Sequence, residues 1–201
     1  LDWAGRHRPD VLCLQETKVD DPLFPAEAFE AKGWRVSFHG QKSYNGVALV
    51  SRIPLDDVRC GFAGELRDDS EALELGEQKR VISALIDGVR VVNLYVPNGS
   101  SLTSDKYPYK LNWLTCLKRY LEQPMQRGEP LCVVGDFNIA LEARDMHDPD
   151  RLSGGIMASD AERQALQMAL ESGLQDVFRV FEPDAGHWSW WDYRTGAWDR
   201  D

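Results

Sequence analysis

"RVISALIDGVRVVNLYVPNG", residues 80–99, is the stretch of sequence that decides the fold. Two runs of β-favouring apolar residues flank Asp87-Gly88, a dipeptide that accepts positive φ at both positions of a two-residue turn. The sequence therefore predicts two antiparallel strands joined at Asp87-Gly88.

Further apolar runs of strand length lie on both sides of this hairpin. They are "PDVLCLQET" at 9–17, "WRVSFHG" at 34–40, "NGVALVS" at 45–51 and "LCVVGDFN" at 131–138. Each is bounded by Gly, Pro, Asn or Asp, so each predicts a separate strand.

Three segments predict helices. Residues 25–33 predict a short one, and residues 105–126 carry leucines at intervals of three and four, which is typical of an amphipathic helix. Ser159 and Glu162 form a capping-box pattern that begins a third helix, and Gly173 ends it. Four basic residues of the second helix are interpreted as its solvated face: Lys106, Lys110, Lys118 and Arg119.

The acidic stretch 64–79, "GELRDDSEALELGEQK", is expected to be an exposed loop. Hairpins combined with long helices imply packed layers of sheet and helix, and periodicity alone leaves open whether the class is α/β or α+β.

Length and composition predict one globular domain over residues 1–201, since 43% of the 201 residues are hydrophobic. No apolar run is long enough for a membrane helix or a signal peptide, so no membrane association is expected. The four cysteines have no C-x-x-C spacing, and Cys13 and Cys132 lie in apolar runs where buried, reduced thiols are expected. These features predict an intracellular protein.

The formal net charge of -10 argues against a sequence-independent cationic clamp on nucleic acid. It leaves room for a local basic face.

Polar residues follow three of the predicted strands: Glu16, Tyr95, and Asp136 with Asn138. A carboxylate such as Glu16 suits a hard divalent cation, and a second one such as Asp136 can orient or deprotonate water. The Tyr95 phenol can donate to an oxyanion, and Asn138 can hold a carboxylate or a phosphate oxygen. Together they suggest metal-assisted phosphoester hydrolysis.

Taken singly, each of these residues has a structural alternative. Gly-Asp-x-Asn is also an ordinary Asx turn, a lone Glu after a strand is often only solvated, and Tyr95 suits a core equally well. Their joint occurrence is what favours a site.

Five motifs, in order along nearly the whole chain, resemble those of the exonuclease III family of apurinic/apyrimidinic endonucleases. They are "LQETKV" at 14–19, "YNGVALVS" at 44–51, "YVPNG" at 95–99, "GDFN" at 135–138 and "WSWWDYR" at 188–194. This family lies within the endonuclease/exonuclease/phosphatase superfamily.

The resemblance implies a four-layer αββα sandwich, two packed β-sheets with helices outside. It also implies incision 5′ to abasic sites in duplex DNA, dependent on Mg²⁺ or Mn²⁺, with 3′ to 5′ exonuclease and 3′-phosphatase activity. By motif, Glu16 resembles the principal metal ligand and Tyr95 the phenol at the scissile phosphate. Asp136 resembles the residue that activates or positions water, with Asn138 beside it.

Four further residues resemble DNA contacts of the family. Asn98 matches a phosphate-contacting asparagine, Arg80 and Arg194 match backbone contacts, and Trp190 matches the aromatic wall of the pocket for the extruded abasic sugar. An abasic nucleotide has no base to unstack, so its extrusion costs less than that of a paired nucleotide.

The family pattern also contains an Asn-x-Asn-Gly motif in a first strand, and Arg-x-Asp and Ser-Asp-His motifs after the region that WSWWDYR resembles. Among these 201 residues no Asn-x-Asn-Gly occurs, and neither of the other two motifs follows Arg194. We therefore expect a fragment that lacks the first strand and the C-terminal strands, and expect the isolated chain to be inactive. The alternatives are another nuclease or phosphatase of the superfamily, or a non-catalytic truncated paralogue.

The implied partner is double-stranded DNA with abasic sites or 3′ ends. A monomer is expected, in the cytoplasm and, in a bacterium, associated with the nucleoid.

Overall fold

The computed structural model describes residues 2–189, in which two β-sheets are flanked by helices. The strands are β1 (Val11–Gln15), β2 (Arg35–His39), β3 (Val47–Ser51), β4 (Asp56–Cys60), β5 (Val81–Ile86), β6 (Val89–Tyr95) and β7 (Leu131–Asp136). The helices are α1 (Asp2–His7), α2 (Ala26–Glu30), α3 (Ser70–Gly76), α4 (Lys106–Gln126), α5 (Pro149–Leu152), α6 (Asp160–Leu170) and α7 (Val177–Phe181). Within residues 2–189, no helix combines the length and apolar character that crossing a membrane requires.

The chain divides into two compact units. The first comprises the residues up to Pro97 together with Asn112–Asn138, and holds both sheets. The second comprises Asn98–Leu111 and the residues from Ile139 onward, with α5, α6 and α7. That residues 1–201 form one domain stays a prediction.

The predicted hairpin is confirmed. Its strands are β5 and β6, which pair in antiparallel register from Ile86 opposite Val89 at the turn to Val81 opposite Leu94. Asp87 and Gly88 have φ of 48° and 80°, the two positive values that this turn requires.

The two sheets differ in strand direction. In the first sheet β3 lies between β1 and β2 and runs antiparallel to both. The second has the order β4-β5-β6-β7, antiparallel except for the parallel pair β6 and β7.

The sheets pack face to face through apolar side chains. Val47 and Leu49 of β3 form one buried cluster with Ile82, Ala84 and Ile86 of β5. The other face of β3 is also buried, which explains why its sequence is a continuous apolar run.

Helices cover the outer faces of both sheets within the first unit. Ala4 of α1 and Trp34 pack on Val50 of β3. On the second sheet, the Tyr120 hydroxyl of α4 lies 3.1 Å from Ser83 Oγ of β5. The predicted four-layer arrangement of two packed sheets with outer helices is confirmed.

The predicted exposed loop at 64–79 is wrong for Ser70–Gly76, which form α3. Asp69 caps this helix by accepting a hydrogen bond from Ala72 N at 3.0 Å. Ala72 and Leu75, spaced by three residues, are buried on one face. The high charge of the segment concealed this short apolar stripe.

The expectation of buried thiols holds only in part. Cys13 is partly buried, and burial raises the pKa of its thiol to about 11. Cys132 is exposed because it lies on β7, the end strand of its sheet among the described residues.

Gly135 permits the close approach of β7 to β6. Its φ is 136°, and a Cβ atom there would lie 2.0 Å from the carbonyl oxygen of Leu94. Only glycine fits this position without displacing the backbone of the neighbouring strand.

Replacing Gly135 with Ala should therefore lower the free energy of unfolding far more than replacing Gly128. Gly128 also has positive φ, 70°, but its Cβ would meet nothing within 4 Å. Gly128→Ala should cost only the backbone strain of about 1–2 kcal/mol. Urea unfolding measures both changes, and equal losses would contradict the proposed close contact.

Candidate active site

Three polar side chains come together where β1, β6 and β7 end. Tyr95 and Asp136 are the last residues of two parallel strands and are partners in register. Glu16 follows the last residue of β1, and its carboxylate accepts a hydrogen bond from the Tyr95 phenol. The structure thus brings together residues from three separate motifs.

The loop that carries Glu16 is held by the 44–46 segment. Thr17 N donates to Gly46 O at 3.2 Å, and Lys18 N donates to Asn45 O at 2.9 Å. A Cβ on Gly46 would lie 2.1 Å from Thr17 Oγ1, which explains the glycine of the "YNG" sequence. The site therefore depends on two distant stretches of chain.

Lys18 forms an ion pair with Glu16, with 2.6 Å between Nζ and Oε2. The hydrogen bond from Lys18 holds the pKa of the Glu16 carboxyl below its usual value, and the phenol of Tyr95 adds to this effect. The Glu16 side chain is still 42% exposed. It is an ionised carboxylate that a ligand can reach.

Arg80 holds Tyr95 in two ways. Its guanidinium carbon lies 4.7 Å from the centre of the Tyr95 ring, and its Nη1 donates to the Tyr95 carbonyl at 3.2 Å. Arg80 Nε donates to Gln78 Oε1 at 3.0 Å, which fixes the guanidinium plane.

Burial, and then the neighbouring charge of Glu16, raises the pKa of Tyr95 to about 12. A phenol with this pKa keeps its proton at neutral pH. Tyr95 is therefore a hydrogen-bond donor there and not a base.

Asp136 and Asn138 form the Asx turn that their spacing also allowed. Asn138 N donates to Asp136 Oδ1 at 2.9 Å, and Asn138 has φ of 49°. The Asn138 amide Nδ2 donates to the carbonyl of Val96 at 2.9 Å, and the residue is 8% exposed. Asn138 thus orients the Asp136 carboxylate and ties it to the chain that leaves Tyr95.

Asn98 lies in the second unit and is exposed. Its Oδ1 accepts from Ser100 N at 3.2 Å, and its Nδ2 lies 3.4 Å from the sulfur of Met157. Its backbone carbonyl accepts from Lys110 Nζ at 3.3 Å. The Asn98 side chain therefore lies on a loop whose backbone is held by the hydrogen bond from Lys110.

The interpretation of Lys110 as part of a solvated face is wrong. Its side chain is fully buried and pairs with the buried carboxylate of Glu162, with 2.5 Å between Nζ and Oε1. The other carboxylate oxygen accepts from Ser159 N at 3.1 Å and from Ser159 Oγ at 2.6 Å. The capping box was visible in the sequence, but the lysine that neutralises it was not.

Two predicted DNA contacts, Trp190 and Arg194, lie outside the described residues.

Residues 2–189 contain no group of three or more His, Cys, Asp and Glu side chains that could enclose a metal ion. A single accessible carboxylate is still enough for Mg²⁺, which often takes only one or two protein carboxylates and keeps several water ligands. Glu16 offers the accessible carboxylate for such an ion.

A two-sheet sandwich with two acidic side chains, Glu16 and Asp136, and a protonated phenol at adjacent strand ends defines a candidate phosphoester hydrolase. The sequence pattern of the endonuclease/exonuclease/phosphatase family matches residues 1–201. The chain therefore belongs to that family, as its motifs predicted.

Its relatives bear on the branch of the family. An exodeoxyribonuclease III of Haemophilus influenzae is 34% identical over 96% of this chain and 74% of the relative. A solved 3′ phosphatase from Neisseria, bound to a product DNA hairpin, is 40% identical with a TM-score of 0.90, covering 99% of this chain and 74% of that one. An AP endonuclease from Archaeoglobus fulgidus is 37% identical with a TM-score of 0.89, with the same coverage. The predicted class, a DNA repair nuclease that hydrolyses phosphodiester bonds, is confirmed.

The buried pair Lys110 and Glu162 provides a test of how the Asn98 loop is held. Lys110→Met should lower the free energy of unfolding by about 3–5 kcal/mol, because it leaves a buried carboxylate without its partner. Adding Glu162→Gln should recover part of the loss, since the amide keeps an acceptor for Ser159 but carries no charge. Denaturant unfolding measures both proteins.

The partly exposed pair Lys118 and Glu122, one turn apart on α4, is the matched control. Lys118→Met should cost only about 0.3–0.5 kcal/mol. If Lys110→Met is equally mild, or if the second substitution gives no recovery, the buried pair does not hold this unit together.

Proposed function

We propose that the protein is a DNA repair phosphodiesterase that cuts the backbone 5′ to abasic sites in duplex DNA. The same site would remove 3′-phosphates and act as a 3′ to 5′ exonuclease, because all three reactions displace an oxygen from phosphorus. The observation that carries the proposal is the convergence of Glu16, Tyr95 and Asp136 at the ends of three strands.

The names of the relatives support each activity in turn: an exodeoxyribonuclease III, a 3′ phosphatase with product DNA, and an AP endonuclease. Each similarity covers at least 96% of this chain. One site chemistry accounts for the three names.

In this mechanism Asp136 orients the attacking water and accepts its proton. The water oxygen forms a bond to phosphorus, the bond from phosphorus to the 3′ oxygen breaks, and the 3′ oxygen takes a proton from solvent. The Asn138 N–H, at 2.9 Å from Asp136 Oδ1, keeps the carboxylate in place during the attack.

When DNA binds, Tyr95 turns its one phenolic hydrogen bond from the Glu16 carboxylate to a non-bridging phosphate oxygen, where negative charge builds. The raised pKa of about 12 ensures that this proton is present. Arg80, over the ring, adds positive charge next to the same phosphate.

Glu16 would hold a divalent cation, Mg²⁺ or Mn²⁺. When bound, the ion supplies positive charge that stabilises the pentavalent phosphorus. Lys18, 2.6 Å from the carboxylate, keeps Glu16 ionised and ready for the ion.

DNA contacts are assigned to Arg80, Asn98, Trp190 and Arg194. With a formal net charge of -10, the protein binds through such local groups and not through a basic surface. We expect a monomer located with the DNA of the cell.

Three substitutions test the site in the full-length protein. Tyr95→Phe, Glu16→Gln and Asp136→Asn should each lower kcat for incision of a duplex with one synthetic abasic site by on the order of 100-fold or more. Excess EDTA should abolish incision by the unsubstituted protein. Product gels with a labelled strand give the rates.

Lys118→Met, at a partly exposed position of α4, serves as the activity control and should leave the rate unchanged. Full incision by Tyr95→Phe, or incision that EDTA does not reduce, would contradict the proposed site.

The second candidate is a family nuclease or phosphatase without abasic specificity, and the 3′ phosphatase among the relatives favours testing it. On the assignment of Trp190 to the pocket wall by its resemblance to the family motif, Trp190→Ala should abolish the preference for the abasic duplex. The rate on a 3′-phosphate end should change little. Unchanged preference for the abasic duplex would favour the second candidate.

A further inference from the structure

Asn93 forms a polar link between the two sheets at a point where they otherwise meet through apolar side chains. It lies on β6 and is fully buried. Its amide Nδ2 donates to the carbonyl of Leu14 on β1 at 2.8 Å and to the carbonyl of Ala48 on β3 at 3.0 Å. Its Oδ1 accepts from Gln15 Nε2 at 2.6 Å.

All the hydrogen-bonding groups of this amide that face the first sheet are used. A buried amide costs free energy unless its donors and acceptor are paired, and an apolar residue would fill the same space without that demand. The three hydrogen bonds form only when β6 has one particular position relative to β1 and β3. They therefore fix the relative position of these strands as well as stabilising the fold.

The hydrogen bonds of Asn93 lie next to the candidate site, on the side of the core. Gln15, the last residue of β1, directly precedes Glu16. Asn93 precedes Tyr95 by two residues on β6, so these two side chains lie on the same face of the strand. The Glu16 carboxylate and the Tyr95 phenol contact each other directly by a hydrogen bond. The bond from Gln15 to Asn93 joins the same two stretches of chain deeper in the core, so it holds the backbone that carries both groups.

We propose that Asn93 is a positioning residue that sets the Glu16 carboxylate against the Tyr95 phenol. It touches neither substrate nor metal and acts through the two strands. The effect of Asn93 on catalysis rests on the function proposed above. Its effect on the position of the Glu16 carboxylate relative to the Tyr95 phenol does not.

The geometric arm uses 3-fluorotyrosine incorporated at position 95 alone. In the otherwise unsubstituted, metal-free protein, Glu16→Gln should change the fluorine chemical shift, because it alters the hydrogen bond to the phenol. In an Asn93→Leu background, the change in fluorine chemical shift that Glu16→Gln causes should fall towards zero. An undiminished shift change would overturn the proposal.

Gln15→Leu is the second variant, in case Asn93→Leu does not fold. It removes the bond to Asn93 Oδ1, together with a local bond from Gln15 Nε2 to the Cys13 carbonyl at 3.2 Å, and keeps the two bonds from Asn93 to the strand carbonyls. It should reduce the shift change in the same direction. Failure of every folded variant to reduce it overturns the inference.

Ser83→Ala is the matched control for loss of a buried hydrogen bond. Ser83 is also fully buried, on the neighbouring strand β5, and its hydroxyl pairs with Tyr120 on the opposite face of the sheet. This variant should lose stability but keep the full response of the fluorine shift to Glu16→Gln.

The kinetic arm uses the full-length protein with Mg²⁺ and the abasic duplex. Asn93→Leu should lower kcat by on the order of 100-fold, as expected for a displacement of about 1 Å between reacting groups. Its KM should stay within about twofold of the original, because DNA contacts are unchanged. Ser83→Ala should leave both constants unchanged at a temperature where it is folded.

The two proposals fail in different ways. If the unsubstituted protein does not incise, the proposed function fails, and the fluorine shifts still decide the role of Asn93. If the protein incises and Asn93→Leu keeps its kcat, the positioning role is overturned while the proposed function stands.

Discussion

The parallel pairing of β6 with β7 is the constraint on which the rest of the site depends. It brings Tyr95 and Asp136 to the same sheet edge as register partners. Antiparallel pairing would place the ends of these strands at opposite edges. The close approach needs Gly135, whose missing Cβ leaves room for the Leu94 carbonyl. A residue without catalytic chemistry thus determines where the two groups proposed as catalytic meet.

The Gly-Asp-x-Asn sequence shows that a turn and a site are not exclusive alternatives. The Asn138 backbone closes an Asx turn on Asp136, and its side chain binds the Val96 carbonyl. The turn fixes the orientation of a carboxylate at the end of a rigid strand. That fixed orientation is what a residue that must aim a water molecule at phosphorus requires.

Local patterns predicted much of the fold and the positions of the polar strand ends. The Asp87-Gly88 hairpin and the Ser159–Glu162 capping box need only neighbouring residues, so the sequence displays them directly. The roles of Lys110 and Asn93 depend on partners 52 and 78 residues away, Glu162 and Gln15. Periodicity carries no information on such pairs, and it therefore assigned Lys110 to the solvated face.

In the proposed function, the ends of β1, β6 and β7 hold a divalent ion and a DNA phosphate together. A crystal of the full-length protein with Mn²⁺ and an abasic duplex, recorded at the manganese absorption edge, tests it most directly. We predict an anomalous peak in direct contact with a Glu16 carboxylate oxygen, with a phosphate oxygen within about 3 Å of the Tyr95 phenol. A manganese ion bound away from Glu16, or DNA bound away from Tyr95 and Asp136, would contradict the account.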